Sequence, residues 1–250
     1  MEAKLPFNPL ERSQEVEKII SQGGKRKYYR FRATGFYGGM ATADALGCCF
    51  LCAYCWNLGR NLCPERTGHF YSAEDVARTI LKIAHNKGFN QVRVSGAEPV
   101  LGPETFEHLL RILEIIEKQA PMTRFVLETN GFILGSDASW AKELIKFSNL
   151  MVRVSLKAVT AEKFTKITGA RGDFFAYPLQ ALIHLKKAGA HFWPAIMGDF
   201  FVPEEILFLR KFLKQNQIRL GIEEEELLLY PLVEENLRKG GFFRQAKNFR

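Results

Sequence analysis

The stretch Gly47-Cys48-Cys49-Phe50-Leu51-Cys52-Ala53-Tyr54-Cys55-Trp56-Asn57 packs three cysteines, Cys48, Cys52 and Cys55, into one short loop with the spacing C-x3-C-x2-C. A cubane [4Fe-4S] cluster has four iron corners and is normally held by four thiolates. A loop that supplies three leaves one iron open to an outside ligand. A structural zinc site is the main alternative, yet such sites pair C-x2-C with a second Cys or His pair. The remaining candidates, Cys63, His69, His85, His108, His184 and His191, are scattered without ligand spacing. Ordinary buried thiols are the third reading. Cys49 reads as a small packed residue and Cys63 as an inert loop thiol.

Working outward, 250 residues with 47% hydrophobic content can bury one sizeable core. No apolar run is long enough to span a bilayer, and Met1-Glu-Ala-Lys-Leu-Pro6 is no signal sequence. The expectation is a cytoplasmic chain with no membrane role. Five cysteines, three of them the spaced set in one loop with Cys49 beside them, make no disulfide framework and suit a reducing compartment. The net charge of +8 favours an acidic partner without naming one. Lys25-Arg-Lys-Tyr-Tyr-Arg-Phe-Arg32 has the composition of a nucleic-acid-contacting strand, and equally that of a half-exposed strand. Arg238, Lys239, Arg244, Lys247 and Arg250 make the tail basic.

Period-two and period-3.6 segments alternate through most of the chain, which predicts repeated βα units and a largely parallel sheet. Strands are predicted over 29–35, 91–95, 124–128, 151–156 and 190–196, and near 218–221 and 227–230. Helices are predicted over 72–87, 103–119, 138–147, 161–168, 175–188 and 204–215. Ser72 with Asp75 caps one start and Gly189 marks one end. About six units fall short of the eight in a closed barrel, so the fold class is α/β, a partial (β/α)6 TIM-type barrel. Short appendages are expected at 1–25 and 232–250 around a barrel at 26–231, with Ser21-Gln-Gly-Gly24 as a linker. Glu223-Glu-Glu-Glu226 reads as a solvated acidic run.

The thiol loop, with Tyr54 before its last cysteine, resembles the defining signature of radical S-adenosylmethionine (radical SAM) enzymes. Further segments occur in the same order: Ser95-Gly-Ala-Glu-Pro99 resembles the family's Gly-Gly-Glu-Pro, Glu128-Thr-Asn-Gly131 its Thr-Asn-Gly, and Val154-Ser-Leu-Lys157 its ribose-contacting strand. Ala97 stands where the family has a second glycine. The resemblance implies that Cys48, Cys52 and Cys55 hold a [4Fe-4S] cluster whose open iron chelates SAM. Reductive cleavage of SAM to a 5′-deoxyadenosyl radical would then drive hydrogen abstraction. It implies SAM contacts from Tyr54, Asn57, Ser95, Gly96, Ala97, Glu98, Thr129, Asn130, Ser155 and Lys157. Glu98 or the Gly96 backbone would meet the methionine amino group, and Ser155 the ribose. It also implies an electron donor of ferredoxin or flavodoxin type.

Within the family the motifs are most similar to glycyl-radical-enzyme activating enzymes, which act on a protein partner. Trp56 and Ser155 depart from that branch, where His and Asp are usual. Cys-Trp with a basic amino-terminal strand also resembles radical SAM enzymes that modify tRNA, and a small-molecule substrate is a further alternative. A noncatalytic iron-sulfur electron carrier, of another class, would need a fourth cluster ligand.

Overall fold

The computed structural model describes residues 4–242. Among them one sheet contains β1 (Ser21–Gln22), β2 (Lys25–Thr34), β3 (Met40–Ala45), β4 (His69–Tyr71), β5 (Gln91–Ser95), β6 (Arg124–Thr129), β7 (Leu150–Leu156), β8 (Phe192–Met197) and β9 (Glu223–Glu225). Its order is β1-β2-β3-β5-β6-β7-β8-β9, with β4 also on β2. Every pairing from β3 to β9 is parallel, while β1, β2 and β4 pair antiparallel beside β3. The helices are α1 (Pro9–Ile20), α2 (Leu58–Leu62), α3 (Ala73–Lys87), α4 (Pro103–Gln119), α5 (Phe132–Ser136), α6 (Ser139–Leu144), α7 (Ala161–Thr168), α8 (Tyr177–Ala188), α9 (Pro203–Gln215) and α10 (Pro231–Lys239).

Local chemistry sets these elements. The Ser72 hydroxyl accepts from the Asp75 amide at 3.1 Å, satisfying an otherwise orphaned donor at the start of α3. Val76, Ala77, Ile80 and Ala84 then form the buried stripe of α3, which stops at left-handed Gly88. On the strands, Val92, Val94, Phe125, Leu127, Val152 and Val154 enter the core under the helices. Alternate residues face the other way, into the lumen. A closed barrel fills that space with branched apolar side chains. Here Arg93, Ser95, Glu128, Arg153 and Ser155 line a cavity of about 690 Å³.

Several sequence expectations are corrected. The strand that leads into the thiol loop is β3, not 29–35, which belongs to β2. The chain reverses between them at Gly35–Gly39, and the small residues of Met-Ala-Thr-Ala-Asp-Ala45 lack a β-branched pattern. The expected linker is a hairpin turn, with Gly23 and Gly24 both at positive φ. α1 is part of the main core through Val16 and Ile20. The acidic run forms β9 itself, and neither 218–221 nor 227–230 is a strand. The helix expected at 138–147 is the shorter α6, Ser139–Leu144, and a separate short helix, α5, precedes it before Asp137. Arg244, Lys247 and Arg250 lie outside the described residues.

Candidate active site

The carboxyl ends of the parallel strands open on the lumen beside the loop that follows β3. Cys48, Cys52 and Cys55 all line this cavity, whereas buried Cys49 and half-buried Cys63 do not. Gly47 turns the chain into the loop at φ +89°, where an added Cβ would fall 2.7 Å from Val16. N–H groups point at the sulfurs: the Phe50 amide at Cys48 Sγ (3.4 Å), and Asn61 Nδ2 at Cys55 Sγ (3.8 Å). Cys48 is lowered to about 7 by a hydrogen bond from Cys49, against its burial. Burial pushes Cys55 up to about 11 and Cys52 higher still. Among the described residues no three His, Cys, Asp or Glu side chains converge as ligands of one ion would. Three separate thiols, two of them with N–H donors, suit three corners of an iron-sulfur cluster, where hydrogen bonds to sulfur help set the potential.

The segment after β5 is built against this loop. The Glu98 amide donates to the Gly47 carbonyl at 3.0 Å, and buried Arg26 donates to the carbonyls of Glu98 (2.6 Å), Leu46 (3.3 Å) and Pro99. Gly96 is the demanding glycine: at φ +82° its Cβ would meet the Ala45 carbonyl at 3.2 Å. Ala97 sits at ordinary φ, so its methyl costs the backbone nothing there. The Glu98 carboxylate accepts from the Thr129 hydroxyl (2.6 Å) and the amides of Asn130 (2.7 Å) and Val100 (3.2 Å). Burial pushes Glu98 up to about 7, with Cys48 adding to the rise and these donors opposing it.

Ser95, Gly96, Ala97, Glu98, Thr129, Asn130, Ser155, Lys157 and Tyr54 all line the cavity. Asn57 does not: it is buried, and its Nδ2 donates to the Gly96 carbonyl at 2.6 Å, so it braces the turn. Lys157 Nζ donates to Ser155 Oγ at 2.7 Å and lies 5.6 Å from the centre of the Tyr54 ring. Burial alone would lower Lys157, yet Tyr54, Cys52 and Glu225 carry it above the ordinary lysine value. A cation is therefore held beside the thiols.

Sequence reasoning missed the charged pairs deeper in the lumen. Arg93 Nη1 donates to Glu128 Oε1 at 2.6 Å. Arg153 donates through Nε and Nη2 to the two oxygens of Glu223, both at 3.2 Å, and its Nη2 lies 2.9 Å from Glu225. The Trp193 indole and the Tyr37 hydroxyl (3.1 Å) also donate to Glu223. A usable signal existed. Arg93-x-Ser95 and Arg153-x-Ser155 put each arginine two residues before a motif serine, hence on the same strand face. The basic strand also divides: Lys27 Nζ is buried on the carbonyls of Pro64 and Glu65, while Arg30 and Arg32 reach the cavity.

Comparison with known proteins agrees with this geometry. A "Probable GTP 3',8-cyclase" of Methanocella arvoryzae is 34% identical over 128 residues, 51% of this chain and 36% of that protein. The "GTP 3',8-cyclase" of Pasteurella multocida is 30% identical over 146 residues, 58% of this chain and 38% of the relative. The chain thus spans a little over a third of the length of these curated relatives. Streptococcus suis SuiB, solved bound to S-adenosylmethionine, shares the fold with a TM-score of 0.58 at 16% identity, over 81% of this chain and 47% of SuiB. The family model described as the radical SAM superfamily matches residues 45–213, well over half the chain. The chain belongs to the radical SAM superfamily, whose cofactors are a [4Fe-4S] cluster and SAM.

Proposed function

We propose that Cys48, Cys52 and Cys55 hold the cluster, that the strand ends around Glu98, Thr129, Asn130, Ser155 and Lys157 orient SAM, and that hydrogen is abstracted from a polar substrate seated in the lumen. The observation that carries this reading is that the three thiols and these strand ends all line one cavity. Bound there, cluster and SAM supply one-electron cleavage that ends in hydrogen abstraction. The chain's own residues supply position. Glu98 ties the turn after β5 to the end of β6, Asn57 fixes the Gly96 carbonyl, and Lys157 keeps a positive charge beside the thiols. Buried Arg93 and Arg153, paired with the half-buried Glu128 and Glu223, give the substrate end of the lumen fixed charges.

A small polar molecule suits this lumen better than the glycine loop of a protein partner, as an activase would require. The name GTP 3',8-cyclase on the sequence relatives supports a small-molecule substrate. The reductant is taken to be a protein of ferredoxin or flavodoxin type. An electron carrier would need a fourth thiolate, and neither Cys49 nor Cys63 lines the cavity. The test is oxygen-free reconstitution with iron and sulfide, followed by SAM and dithionite. The expected product is 5′-deoxyadenosine, with cluster absorbance and SAM cleavage lost together in Cys52→Ala. A full cluster retained in Cys52→Ala, or a wild-type protein that holds a cluster but never binds SAM, would overturn the reading.

A further inference from the structure

The wall of the cavity formed by β2 and α2 has no part in the reading above. Trp56 follows the last thiol and is 36% exposed, with the guanidinium carbons of Arg30 and Arg32 each 6.0 Å from its ring centre. Both arginines are fixed from below by Asp44, which is fully buried: Arg30 Nε and Arg32 Nε reach Oδ2 at 2.7 and 2.6 Å, and Arg32 Nη2 reaches Oδ1 at 3.2 Å. Arg60 lies 4.6 Å over the Tyr29 ring and donates to Asn57 Oδ1 at 3.3 Å. The Tyr29 hydroxyl is buried without a hydrogen-bond partner among the described residues. Tyr29, Arg30, Arg32, Trp56 and Arg60 all line the cavity.

Three guanidiniums face one carboxylate on this wall, leaving a charge of +2 (three minus one). Surface arginines free in solvent would present no fixed geometry, but these are held by Asp44 and by stacking, so their outer N–H groups are pre-aimed. Glu225 and Glu226 line the same cavity, and Glu225 is paired with Arg153 at 2.9 Å. A phosphomonoester carries a charge of about −1.5 to −2 and three acceptor oxygens, and guanidinium forks match those oxygens. The exposed indole offers a face for a stacked base.

We infer that this wall recognises the phosphate and base of a nucleotide substrate, the phosphate on Arg30, Arg32 and Arg60 and the base on Trp56. The inference rests on the lumen being the substrate site, as proposed above. A free nucleotide and a nucleotide within RNA offer the same chemistry, and binding to each distinguishes the source.

The experiment uses the reconstituted protein in equilibrium dialysis against GMP, guanosine and a single-stranded RNA oligonucleotide, with SAM retention and iron content measured on the same sample. The expected result is at least tenfold tighter binding of GMP than guanosine. Arg60→Gln should bring that ratio close to one, and Trp56→Ala should weaken GMP about tenfold while Trp56→Phe restores most of it. Binding of the oligonucleotide alone, with the same dependence on Arg60 and Trp56, also supports the site and identifies RNA as the source. Retained SAM with no binding of either probe, or binding indifferent to these variants at normal iron content, would overturn the inference and leave the radical SAM reading intact. A wild-type protein that retains iron but no SAM would overturn that reading, and this inference with it.

Discussion

Glu98 and Glu223 are two carboxylates at opposite sides of one barrel, and their surroundings drive them in opposite directions. Glu98 follows β5 and is met by a hydroxyl and two amides; burial dominates and its pKa rises to about 7. Glu223 opens β9 and is met by a guanidinium, an indole and a hydroxyl. Burial pulls it up as well, yet Arg153, Trp193 and Tyr37 outweigh that and hold it below the usual carboxylate value. Neutral donors soften the cost of burying a carboxylate, whereas a bidentate cation reverses its sign.

The largest effect should come from removing that cation. Arg153→Met keeps the buried stem but leaves Glu223 and Glu225, each about a third exposed, without their guanidinium; breaking a fully buried pair costs about 3 to 5 kcal/mol, so roughly 2 to 3 kcal/mol is expected here. Urea unfolding of the iron-free protein at pH 7 measures it. A loss below about 1 kcal/mol would mean that solvent satisfies both carboxylates and that the contrast with Glu98 is illusory.

The next effect lies in the pH profile, where the two groups have opposite signs. A raised native pKa means that the folded chain keeps a proton the unfolded chain releases. The Glu98 contribution is therefore full below the unfolded value of 4.5 and is lost as pH rises through about 7. Its span is roughly 2 to 3 kcal/mol. For Glu223 the contribution is present above 4.5 and is lost as pH falls through its lowered native value. Relative to the wild type, Glu98→Gln should gain stability between pH 5 and pH 8, while the deficit of Glu223→Gln should close as the solution is acidified below pH 4.5. Parallel profiles in wild type and Glu98→Gln would show that Glu98 titrates like a free side chain.

The same pair of residues explains what could be read from the sequence. Glu98 was legible because its partners lie in short ordered segments, Ser95-Gly-Ala-Glu-Pro99 and Thr129-Asn-Gly131, whose spacing mirrors one turn and one strand end. The barrel was legible from the alternation of periods. Glu223 was not, because its partner Arg153 lies 70 residues earlier, and four consecutive glutamates carry no period that separates a lumen-facing strand from a solvated run. β3 was hidden for a related reason: its small residues are all buried, with Asp44 among them held by Arg30 and Arg32, so no alternation reaches the sequence. For Asn57, spacing locates the residue without telling whether its amide meets a ligand or the Gly96 carbonyl, to which it donates.

The smallest effect concerns how Glu223 is reached from the far side of the sheet. The parallel array ends at β9 and the antiparallel extension begins beyond β3, yet Tyr37, on the turn between β2 and β3, donates its hydroxyl to Glu223 Oε1. Tyr37 takes φ +52°, an unfavourable value for a residue with a Cβ, and its carbonyl accepts from Gln91 Nε2 at 2.9 Å, which holds the turn independently of the hydroxyl. Tyr37→Phe therefore deletes one hydrogen bond to a charged group while the turn stays in place. At 40% exposure the expected cost is about 1 kcal/mol rather than the larger value of a buried site. A double-mutant cycle with Glu223→Gln should return most of that as coupling. Additive losses would mean that the ring alone, packed edge-on against Trp193 at 6.5 Å, spans the open side and that Glu223 is set by Arg153 without help from the turn.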